Sequence, residues 1–156
     1  VLLEAQSGVA EGTLAFGSIR WVDWSEFEIA PPGYVNAPSN LNNDALVSYD
    51  NDTITYTIGG ARRLSEELAL LGSVAYEHAQ GGFAGNLGPT DGRTTIGLAA
   101  RYDIDNVRIT AGASYTWIGD AQTEAPASVG GSPGDQFAEF EDNHAFGFGL
   151  RIGYSF

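Results

Sequence analysis

The chain has 156 residues, 20 acidic side chains against seven basic ones and a formal net charge of -13, a balance that excludes a nucleic-acid surface, which needs a positive field. Mean hydropathy is -0.11 and no run of 18 or more apolar residues occurs, so any passage through a membrane must be made by strands rather than helices. Cysteine is absent, which agrees with an oxidising envelope compartment but also with other locations.

Taken in chain order, the apolar pattern predicts seven strands. A short run from Val1 to Gly8 comes first. Thr13 to Trp24 follows, with Ala15, Gly17, Ile19 and Trp21 on one parity and Ser18 and Arg20 on the other. Thr53 to Arg63 sets Ile54, Tyr56 and Ile58 against three threonines, and Glu67 to His78 sets Leu68, Leu70, Val74 and Tyr76 against Ala69, Ser73 and Glu77, with Leu71 as an inward misfit. Arg93 to Asp103 and Asn106 to Gly119 repeat the period, placing Arg93, Arg101 and Arg108 opposite Ile96, Leu98, Val107 and Ile109. The last segment, Ala145 to Phe156, alternates without an error: every even position is large and apolar, and Arg151 falls on the odd side.

These segments have about the ten residues that a tilted strand needs to cross a bilayer. Their connections alternate between short (Val9 to Gly12, Leu64 to Glu66, Ile104 to Asp105) and long (Ser25 to Asp52, Ala79 to Gly92, Asp120 to Asn143). Transmembrane barrels join strands by short periplasmic turns and longer outer loops, so an aromatic end at Phe156 on the periplasmic side puts every long loop outside. Aromatic residues then form two bands: Trp21, Tyr56, Tyr76, Tyr115, Trp117 and Phe146 near the outer ends, and Tyr102, Tyr154 and Phe156 near the inner ones. The expected fold is an all-β, antiparallel up-and-down transmembrane barrel in the bacterial outer membrane. Residues 1–156 form one domain that supplies seven strands, too few for a closed bacterial barrel. The absence of Met and the start at Val1-Leu2-Leu3 point to a piece of a longer protein.

Every base is an arginine. Arg20, Arg93, Arg101, Arg108 and Arg151 share the parity opposite to the greasy face and are expected to line the lumen, because a charge facing mid-membrane lipid costs about 2 to 4 kcal/mol. They serve either as a positive passage for carboxylates or as a structural ladder of ion pairs with Glu4, Glu77 or acids on strands absent from these residues. The two histidines, His78 and His144, have no metal-ligand spacing, and no Gly-x-Ser-x-Gly elbow is present, so neither a metal nor a catalytic residue is expected. Acids at Glu26, Glu28, Asp135, Glu139, Glu141 and Asp142 read as a solvated outer surface, with calcium binding as the alternative.

Trp24-Ser25-Glu26-Phe27, Tyr56-Thr57-Ile58-Gly59, Pro89-Thr90-Asp91-Gly92-Arg93 and the closing Gly153-Tyr154-Ser155-Phe156 together resemble the final strands of the FadL family of outer-membrane transporters. The resemblance implies a fourteen-stranded barrel with an N-terminal hatch, ligand capture at the outer loops and lateral exit through the wall. It also implies passive uptake of long-chain fatty acids or related hydrophobic compounds, with no cofactor and no enzymatic step. Hatch and upstream strands are not among these residues, so the resemblance assigns no gating residue. The expected partners are a hydrophobic ligand, outer-membrane lipid and the barrel-assembly machinery, which would read Ile152, Tyr154 and Phe156 as an assembly signal. The alternative function is a small structural or adhesion-type barrel with acidic outer loops.

Overall fold

A computed structural model describes residues 1–40, 43–49, 51–126, 130–132 and 134–156. Seven long strands form one antiparallel sheet in the order β1 (Leu2–Ala10), β2 (Thr13–Val22), β5 (Thr53–Arg63), β6 (Leu68–Glu77), β8 (Arg93–Ile104), β9 (Val107–Ile118) and β12 (His144–Tyr154), each beside its predecessor. This is the expected up-and-down meander. β1 and β12 are the two edges and do not pair with each other, so these seven strands form an open wall.

The short turns lie together at one end. Gly12 makes the first with φ at +64°, a region where glycine carries no Cβ penalty, and Asp105 makes the third at +48°, which aspartate tolerates better than most residues. Ser65 holds the second: its Oγ accepts from the amides of Glu67 and Leu68 at 3.3 and 3.1 Å. The pairing of β9 with β12 runs unbroken from Trp117 opposite His144 to Val107 opposite Tyr154, and the Ser155 amide extends it by donating to the Asn106 carbonyl.

The opposite end carries the long connections, which have structure of their own. The first holds the two-residue strands β3 (Glu28–Ile29) and β4 (Val47–Ser48) and one helical turn, α1 (Pro32–Val35). The second contributes β7 (Phe83–Ala84), which pairs in parallel with β10 (Ala121–Glu124) of the third, and β10 pairs in turn with β11 (Gln136–Phe140). The periodicity placed these stretches in loops. Their pairing joins two loops far apart in sequence, which local patterning does not encode.

Cross-strand partners in an antiparallel sheet point to the same face, so the register fixes the two surfaces. One continuous row runs Ile58, Val74, Ile96, Tyr115 and Phe146, and the next lower row includes Leu98, Ala113 and Phe148. Leu98, Phe148 and Ile152 are 66%, 72% and 66% exposed, and among the described residues only Ala121 and Thr123 are buried. A water-soluble sheet would leave no apolar face this bare; lipid is the solvent that this wall is built for.

Candidate functional site

The opposite face is the lumenal one, and its rows fall into three levels. The outer level is the row Arg20, Thr55, Glu77, Arg93. Arg93 pairs with Glu77 at 3.1 Å, and the same Glu77 oxygen accepts from Thr55 Oγ1 at 2.7 Å. Arg20 makes no ion pair among the described residues.

From β5 to β12 the middle level is narrow in side-chain terms: Gly59, Ser73, Gly97, Ser114 and Gly147 make one row, and Ala61, Leu71, Ala99, Gly112 and Gly149 the next, while on β2 the same rows carry Phe16 and Leu14. The inner level returns to charge. Arg63, Ala69, Arg101, Thr110 and Arg151 share a row, and Asp103 and Arg108 sit one row below. Arg108 Nε donates to Asp103 Oδ1 over 2.7 Å, while Arg101 Nε approaches Oδ2 at 3.3 Å without hydrogen-bond geometry. Arg101 follows Arg93 by eight positions on β8, about 27 Å along a strand.

All five arginines expected in the lumen therefore share one face, but as two separated stations. Glu77 does pair with an arginine, whereas Glu4 lies opposite Ser18 and makes no ion pair among the described residues. The main acid is Asp103, which the sequence reading passed over, although counting back from the two-residue turn at Asp105 and Asn106 places it opposite Arg108. Arg63 is a second omission that parity alone could have supplied. Arg62 falls on the lipid parity, opposite Thr13 and Leu70, next to the turn, where its stem can lie along apolar surface with the charge at the interface.

Above the outer row the loops close over a cavity of about 300 Å³. Arg20, Glu77 and Arg93 form its floor, Trp24 and Tyr49 enter from the first loop, and Phe83 from the second. The aromatic side is a packed cluster: Trp24 and Tyr49 centroids lie 5.4 Å apart, and Trp24 and Phe27 meet edge to face at 5.8 Å. Trp24 is fixed from two directions, its Nε1 donating to Thr53 Oγ1 at 3.0 Å and its amide to Asp52 Oδ1 at 3.2 Å. The cavity thus sets Arg20, which has no ion-pair partner among the described residues, beside an apolar wall, an arrangement suited to an amphiphile with an anionic head. His78 and His144 lie on the outer aromatic band, His78 Nδ1 3.1 Å from the Tyr76 hydroxyl and His144 stacked on Tyr115 at 5.7 Å. Among the described residues no group of three or more potential metal ligands comes together.

A lipid-facing apolar surface, a polar interior face and loops of alternating length define the wall of a bacterial outer-membrane β-barrel. Residues 33–156 match the family model described as Autotransporter beta-domain, and the chain belongs to that family. The fold is also similar to the crystal structure of a Pseudomonas aeruginosa FadL homologue, with a TM-score of 0.62 and 16% identity over 97% of this chain. At that identity the likeness is one of fold alone, and the chain spans 32% of the length of that structure. No curated protein matches the chain.

Proposed function

We propose that this wall belongs to an outer-membrane protein of the FadL type that admits hydrophobic molecules bearing a carboxylate, long-chain fatty acids among them, by passive passage without chemistry. The observation that carries this reading is the outer cavity, where Arg20 lies without an ion-pair partner among the described residues, beside the aromatic cluster of Trp24, Phe27 and Tyr49. A poorly screened positive charge at the mouth raises local anion occupancy, and the aromatic wall receives the apolar part. The fold shared with the FadL homologue lends support at the level of architecture, as do the motifs that resemble that family.

In the full-length parent barrel, Arg20→Gln should slow oleate uptake severalfold at unchanged barrel abundance. Normal uptake by that variant would remove the carboxylate-capture role.

A second reading, a structural or adhesion-type barrel, is favoured by the family model and by the way β7, β10 and β11 join the second loop to the acidic third loop in one outer sheet. Under that reading, replacing residues 119–143 with a short turn abolishes surface attachment of cells and leaves oleate uptake as it was.

A further inference from the structure

The outer, lipid-facing side of the wall carries a second depression that the transport reading does not use. It is an open groove of about 850 Å³ where β2, β5 and β6 meet the start of the long loops. Its apolar part is Ile54 and three aromatic residues: Trp21, Tyr56 and Tyr76 are 38%, 47% and 47% exposed and belong to the outer aromatic band, at the depth where lipid headgroups meet water. Polar groups stand over that floor. Trp21 Nε1 donates to Asp52 Oδ2 at 3.1 Å, Gln80 Nε2 donates to the Asp52 carbonyl at 2.9 Å, and the Tyr76 hydroxyl lies 3.1 Å from His78 Nδ1.

The chemistry of the lining narrows the occupant. No arginine lines the groove and the chain has no lysine, so no permanent cation stands there to neutralise a phosphate, and the Asp52 carboxylate repels one. Carboxylate, carboxamide, imidazole and phenol groups around flat aromatic surfaces instead match a ligand that offers many hydroxyls and apolar C–H faces. The position on the lipid side of the wall adds an acyl chain, which would run down the row of Ile58 and Val74 below Tyr56 and Tyr76.

We propose that this groove binds the uncharged sugar headgroup of a glycolipid in the outer leaflet, with the lipid tail lying against the barrel wall. The test uses the full-length parent barrel, purified in a dodecyl polyether detergent and exposed to n-dodecyl-β-maltoside, with retained adducts read by native mass spectrometry. The wild type should keep a bound maltoside that dodecylphosphocholine and free maltose do not displace. Tyr56→Ala and Asp52→Asn should each weaken retention by about tenfold. Should Asp52→Asn lower the yield of folded barrel through its hold on Trp21 and Trp24, Tyr56→Ala carries the test. Displacement by dodecylphosphocholine at equal concentration would overturn the sugar assignment, displacement by maltose would overturn the lipid assignment, and wild-type retention in folded Tyr56→Ala would overturn the site.

Discussion

Asp103 and Arg108 face each other beside a two-residue turn of the sheet, with Arg108 Nε donating to Asp103 Oδ1 over 2.7 Å, while Arg101 reaches the other oxygen of the same carboxylate. One acid thus stands among Arg101 and Arg108, with Arg63 and Arg151 on the row above. Replacing it leaves four guanidinium groups with no counter-charge supplied by that carboxylate. Asp103→Asn in the parent barrel is expected to lower the temperature at which the heat-modifiable form unfolds, and Asp103→Asn with Arg108→Gln should recover part of the loss. A double variant no better than the single one would show that repulsion among the arginines is not the cause.

Glycines on the lumenal face differ sharply in the room around them. A Cβ at Gly59 would press into the ring of Phe16 and lie 2.7 Å from the Gly72 carbonyl oxygen, whereas a Cβ at Gly149 meets nothing within 4 Å. Gly59→Ala should therefore cost about 1 to 3 kcal/mol, the usual penalty of overpacking, and Gly149→Ala little. Denaturant titration of the two variants side by side would expose an error if they shift equally.

The two faces can be separated by spin labels at single sites. Labels at Ile96, Leu98, Ile109, Leu150 and Ile152 should be accessible to oxygen and shielded from water-soluble relaxants, while labels at Arg93, Arg101, Arg108 and Arg151 should show the reverse. A slip of one residue in any strand would invert its readings, so the experiment tests each register separately.

At the end of the chain Tyr154 and Phe156 pack edge to face with centroids 5.1 Å apart, and Phe156 is fully exposed on the lipid parity. Deleting Phe156 from the parent should leave export intact and sharply reduce the heat-modifiable barrel recovered from outer membranes. Unchanged recovery would refute its role as an assembly signal.

The seven strands and the direction in which each side chain points were legible in the sequence. A membrane strand satisfies its backbone through its neighbours and sorts its side chains by a period of two, so Phe146 through Phe156 declare their face one residue at a time. The same parity put the five arginines on the lumenal side, because a charge cannot lie cheaply in hydrocarbon. What parity does not carry is the height of each residue relative to residues on other strands. Only the pairing register set Arg20 level with Glu77 and Arg93, placed Asp103 between Arg101 and Arg108, and divided the arginines into two stations. The loops were less legible still. Trp24 reaches Tyr49 and β7 reaches β10 through contacts between segments 25 or more residues apart, contacts that depend on where the wall holds the loop ends, so the cavity over Arg20 and the groove beside Trp21 exist only in the tertiary structure.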